Sequence, residues 1–171
     1  FLALPFLALI NFYYNGSQAF KLKSRRHLLL VLIASLAFAG DMSSWHWSLQ
    51  FTSVANATIF VNTASIYMLI FAVLIFKESI SRQFILSFIL TFVGVIGLIY
   101  FSRIKTEGAL IGDGIALMAA FLYAIYLLII SRLGQESSIN IIFYTTLFTG
   151  VFGLVFALIE SREFLPSSSM Q

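Results

Sequence analysis

Between Gly40 and Phe60 the sequence reads GDMSSWHWSLQFTSVANATIF, and its polar residues fall at spacings that could do chemistry. Asp41, Ser44, Trp45 and Ser48 follow i, i+3, i+4, i+7, so on a helix they share one face with Ala34 and Ala37. Beyond a short turn, Thr52, Asn56, Thr63 and Tyr67 fall within one narrow wedge at about 100° per residue. Thr58, Asn62 and Ser65 form a second polar cluster elsewhere on that helix. A carboxylate, aromatic rings, hydroxyls and amides on two neighbouring stripes can hold a small molecule with a cationic or hydrogen-bonding group. The carboxylate can also carry a proton.

The elements that must position these residues are apolar. LLLVLIASLAFA precedes Gly40 and ASIYMLIFAVLIF follows Thr63. The chain is 60% hydrophobic and 10% charged, with a mean hydropathy of +0.99. A soluble domain carries about 25% charged residues, so this composition excludes one and predicts an all-α integral membrane protein. A β-barrel is excluded because its strands would be runs of about 10 residues of alternating polarity. An ionisable residue near mid-span, such as Asp41, costs about 2.5–3.5 kcal/mol to insert. It persists if it faces other helices or water, and no Lys or Arg lies at its depth.

Six hydrophobic segments are expected: 1–14, too short to span alone, then 28–49, 53–76, 84–101, 112–131 and 139–159. The chain opens on Phe1 inside apolar text and is read as a piece of a longer protein. Alternating loops divide the ten basic residues unevenly. Lys21, Lys23, Arg25, Arg26, Lys77, Arg82 and Arg132 fall on one side, and Arg103, Lys105 and Arg162 on the other. The positive-inside rule makes the first side cytoplasmic in a cell (inner or plasma) membrane, so the stretches 21–27 and 77–82 and the turn near 132 face inward. The net charge of +3 is thereby a topology signal, and nucleic acid is not an expected partner.

Other polar residues read as structural. Trp47 is expected as an interface anchor, His46 in a structural role and His27 facing headgroups. Asp113 is expected as a first-turn charge favoured by the helix dipole. Ser87, Thr91 and Gly94, and separately Thr146, Gly150, Gly153 and Ala157, form small-residue seams that let helices approach closely. With no cysteine there is no thiolate chemistry. H-E-x-x-H, G-x-S-x-G and phosphate-loop motifs are absent, so neither catalysis nor a metal or other cofactor is expected.

The order of these features resembles a known family. DMSSWHWSLQFTSVANATIFVNTASIYMLIFAVLIFKESISRQFILSFILTFVGVIGLIYFS is similar to the second part of an EamA-type repeat of the drug/metabolite transporter superfamily, through Leu49, the Thr52–Thr58 run, Glu78, Gly94 and Gly97. GALIGDGIALMAAFLYAIYLLIISRL resembles the opening helix of the second repeat, closing on Arg132. The resemblance implies ten helices in two inverted halves around a central cavity. Residues 1–101 would be the end of the first repeat, 102–111 an external linker and 112–171 the start of the second. Two positions depart from the pattern: Ser65 stands where a proline often kinks the helix, and Lys77 stands where glycine usually precedes the Glu. Glu78 is then a structural residue at the helix end.

The expected activity is secondary transport, with export of small polar or amphipathic metabolites or drugs and proton coupling. Asp41 would attract a cation or carry the proton, and Trp45 and Tyr67 would be aromatic walls. Ser48, Asn56 and Thr63 would supply hydrogen bonds. The alternative is a non-transporting scaffold or sensor subunit that uses the same seams for helix association.

Overall fold

The computed structural model describes residues 2–75, 77, 82–101, 109–134 and 136–164. Its helices are α1 (Leu4–Asn15), α2 (Arg25–Ser48), α3 (Val54–Asn62), α4 (Ala64–Leu74), α5 (Arg82–Phe101), α6 (Ala109–Ser131) and α7 (Ser138–Phe164), and no strand occurs among the described residues. Among the described residues four spans, Arg25–Ser48, Val54–Phe71, Leu110–Ser131 and Ser138–Ile159, are long and apolar enough to cross a membrane. The protein is a multi-pass, all-α membrane protein.

Its polarity is inverted relative to a soluble domain. Leu36, Ile70, Leu90, Val93, Leu154 and Leu158 are exposed, whereas most of the buried positions are alanine or polar. With lipid on the outside there is little hydrophobic drive between helices, so close packing and hydrogen bonds hold the interior. The chain forms two compact units, Phe1–Ser43 with Ile129–Gln171, and Ser44–Leu128.

In the first unit α1 packs along α7. Val31 of α2 meets Leu133 and Ile141, with Leu30, Ile130, Tyr144 and Phe148 around them. The Thr149 hydroxyl donates to the Ser35 carbonyl at 3.4 Å, joining α7 to α2. In the second unit Ala64 of α4 sits against Ala120 and Ala124 of α6 under a collar of Tyr67, Met68, Phe71 and Tyr123. Phe121 adds edge-on ring contacts to Tyr67 at 5.5 Å and to Phe71 at 6.2 Å.

The segment expected as one helix over 53–76 is two. Ser53 caps α3 by accepting the Asn56 N–H at 3.1 Å, and α3 stops at Asn62. No proline causes the break. Instead the Thr58 hydroxyl donates to the Val54 carbonyl (2.7 Å) and the Asn62 amide to the Thr58 carbonyl (2.9 Å). The Thr63 hydroxyl donates to the Phe60 carbonyl (2.5 Å) and the Ser65 hydroxyl to the Asn62 carbonyl (3.0 Å). Side chains that bond back to the carbonyls of the preceding turn compete with the helical ladder and bend it. At Thr63 the backbone N–H also turns to Phe60, three residues back.

Several sequence expectations are corrected. At Gly94, Gly97 and Gly153 an added Cβ would meet nothing within 4 Å, so these glycines mark no close helix approach among the described residues. The close approach is at Gly112, where a Cβ would come within 2.9 Å of Phe51 and Thr52. The side chains of Ser87 and Thr91, and Glu78 altogether, lie outside the described residues. Asp113 is the fifth residue of α6, past its first turn. Lys77 has φ +53°, the left-handed conformation that glycine adopts freely.

Candidate functional site

Asp41 is 2% exposed, deep on α2 in the first unit. Its Oδ1 has no hydrogen-bond partner among the described residues. The helical register explains the burial, since Ala34 and Ala37 on the same face are buried as well. Asn11, on α1 of the same unit, is also fully buried with an unpartnered Nδ2. Its other polar atom ends a ladder: Ser137 Oγ donates to Asn15 Oδ1 (3.1 Å), and Asn15 Nδ2 donates to Asn11 Oδ1 (2.6 Å).

The other five candidates lie in the second unit. Ser48 closes α2 fully buried, its hydroxyl donating to the Trp45 carbonyl at 2.6 Å. Trp45 is half-buried with its ring edge-on to His46 at 5.0 Å. Asn56 and Thr63 are buried and Tyr67 half-buried, all on the α3–α4 wedge. Burial thus separates the two polar clusters of that segment, because Thr58, Asn62 and Ser65 are exposed and bond to their own backbone.

Thr63 and Tyr67 meet in a half-open cleft of about 230 Å³ beside the helix break. Its walls are Phe60, Ile66, Phe92, Ile96 and Leu117. Among the described residues its lining has no charged group, so it suits an apolar or ring-shaped portion of a ligand. A 150 Å³ apolar cavity suffices for benzene. In the turn before α3 of the same unit, Thr52 is buried and its hydroxyl donates to Asp113 Oδ1 at 2.8 Å. That bond gives Asp113 a partner the dipole argument had not supplied.

Three polar residues of the first unit were not anticipated. Glu136 accepts the Lys23 N–H at 2.8 Å and pairs with His27, which therefore faces a carboxylate and not headgroups. Asn140 and Tyr144 bond to the backbone of Phe20 and Lys21. A polar residue at every fourth position from the turn before α7 into its first turns, in Glu136, Asn140 and Tyr144, was the available signal. Among the described residues no group of His, Cys, Asp and Glu could hold a metal ion.

This architecture, apolar outside with buried polar faces on helices, agrees with the comparisons to known proteins. The model of the EamA-like transporter family matches residues 1–100. An uncharacterised vacuolar membrane protein of Saccharomyces cerevisiae is 33% identical over 126 residues, 64% of this chain and 32% of the relative. The chain therefore spans about a third of that relative's length. No solved structure matches it. With more than half of its length matched by the family model, the chain belongs to the EamA-like transporter family.

Proposed function

We propose that the chain is part of a secondary transporter that exports small polar or amphipathic metabolites or drugs in exchange for protons. The observation that carries the reading is Asp41: a carboxyl 2% exposed, about two thirds of the way along an apolar span, with one oxygen unpartnered among the described residues. Such a group is expensive to keep in a membrane and marks an ion or substrate route by default. Asp41 binds a cationic group or carries the coupling proton. In the second unit Trp45 and Tyr67 act as aromatic walls, and Ser48, Asn56 and Thr63 offer hydrogen bonds. The break between α3 and α4 supports this, since discontinuous helices mark substrate sites in transporters of many folds.

In this reading residues 1–101 close a first repeat, 102–111 form an external linker and 112–171 open a second. The basic stretches 21–27 and 77–82 and the turn at Arg132 face the cytoplasm of a cell-membrane protein. The test uses the full-length protein in proteoliposomes with an entrapped pH dye, challenged with a panel of amino acids and organic cations. A compound that drives proton movement in the wild type should drive none in Asp41→Asn. Proton movement unchanged by that substitution would remove Asp41 from the mechanism. A panel without any flux would favour the scaffold alternative.

A further inference from the structure

The end of the first unit that carries residues 16–27 is built in two layers. Inward, α7 and the turn before it hold the loop by its backbone. The Phe20 N–H donates to Asn140 Oδ1 (3.3 Å), and Asn140 Nδ2 donates to the Lys21 carbonyl (2.9 Å). The Tyr144 hydroxyl donates to the Phe20 carbonyl (2.7 Å), and Glu136 takes the Lys23 N–H and the His27 ring. Phe20 is held at φ +62° with its ring edge-on to Phe143 at 4.9 Å. Outward, the side chains of Lys21, Lys23, Arg25 and Arg26 are exposed, and Arg132 is exposed on the turn that brings in Glu136.

Among the described side chains of this unit the cations outnumber the acids. The acids among the described side chains of the unit are Glu136 and Asp41. Glu136 is buried and turned toward His27. Asp41 lies sixteen residues beyond Arg25, about 24 Å along α2. Moreover, α2 starts at Arg25 with no acid in its first turn, so the positive end of its dipole adds to the basic side chains instead of opposing them. Arg25 is also the first residue of a 24-residue candidate span, which puts the cluster at the level of lipid headgroups.

We propose that this face, Lys21, Lys23, Arg25 and Arg26 with Arg132 beside them, is a seat for anionic phospholipid headgroups. The buried clasp on Glu136, Asn140 and Tyr144 fixes the backbone so that the cations are presented together. Juxtamembrane basic clusters of this size attract anionic lipid, and the attraction weakens with salt. The inference does not depend on transport.

The test is native mass spectrometry of the protein extracted from its membrane and mixed with equal amounts of phosphatidylserine and phosphatidylcholine. Wild type should retain phosphatidylserine in excess, and the excess should shrink as ammonium acetate rises from about 0.1 to 0.5 M, where the Debye length falls well below 10 Å. K21Q/K23Q/R25Q/R26Q should lose the preference, with a roughly fivefold weakening per charge removed. K21R/K23R, which keeps the charge, should preserve it. Equal retention of both lipids by the wild type, or a preference that survives high salt, would overturn the proposal. The salt series needs no variant and decides even if the fourfold substitution does not fold.

Discussion

The Thr52 hydroxyl donates to Asp113 Oδ1 at 2.8 Å, and the residue before that aspartate, Gly112, lies against the same turn. A Cβ at Gly112 would come within 2.9 Å of the Thr52 backbone nitrogen, and backbone cannot swing aside as a flexible side chain can. Gly112→Ala should therefore destabilise the protein by about 1–3 kcal/mol, as overpacking does. Thr52→Val, which removes the hydrogen bond from that turn to α6, should cost about 0.6 kcal/mol. Thermal unfolding in detergent checks the order: the glycine variant must melt below the valine variant.

Lys77 occupies a left-handed conformation at φ +53°. Such a conformation costs an ordinary residue about 1–2 kcal/mol, while glycine adopts it freely but loses more chain entropy on folding. Lys77→Gly should leave a net gain of up to about 1 kcal/mol, read as a higher midpoint of thermal unfolding. A lower midpoint would show that the lysine side chain contributes more than its backbone costs.

The break at Thr63 rests on hydroxyls bonding back to the preceding turn. The double variant T63V/S65A removes two of those bonds. It should let α3 and α4 run on as one helix, so spin labels at positions 54 and 74 should move apart toward the roughly 30 Å of twenty continuous helical residues. An unchanged distance would mean that the packing of Ala64, Tyr67 and Phe71 on α6 holds the break instead.

Much of the fold was legible because bilayer thickness sets a length and hydropathy marks it. Segments expected over 28–49 and 112–131 became Arg25–Ser48 and Ala109–Ser131. The break at Thr63 was hidden, because the polar residues around it, Asn62, Thr63 and Ser65, read as faces of one continuous helix and the signal lay in which carbonyl each side chain reached. The burial of Asp41, Ser48, Asn56 and Thr63 followed from helical spacing, as did that of Ala34 and Ala37. The clasp on Glu136 and Asn140 did not, since it pairs residues 109 to 120 positions apart across loops. Asn11 lay in a stretch too short and too apolar for one amide to stand out. The expected seams have no near neighbour at Gly94 and Gly153 among the described residues, because spacing shows which residues permit close approach, not which helix comes near.

Glu136 serves two donors at once, the Lys23 N–H and the His27 ring. Glu136→Ala leaves the Lys23 amide without its partner, which should cost about 1–3 kcal/mol of local stability. Hydrogen exchange should accelerate across residues 16–24 and remain unchanged across α6. Acceleration spread evenly over the whole chain would indicate global unfolding and no local clasp.

The central claim, that the buried polar faces line a wet route while the exposed apolar surface meets lipid, is tested most directly by thiol accessibility. The chain has no cysteine of its own, and with any cysteine elsewhere in the full-length protein replaced by serine, single cysteines at 45, 63 and 67, and at the exposed apolar positions 36 and 70, report separately. A charged, membrane-impermeant methanethiosulfonate applied to the full-length protein in its membrane should modify 45, 63 and 67 and leave 36 and 70 unmodified. Unreactive thiols at 45, 63 and 67 that become reactive only after solubilisation and unfolding would show a dry interior and contradict the account.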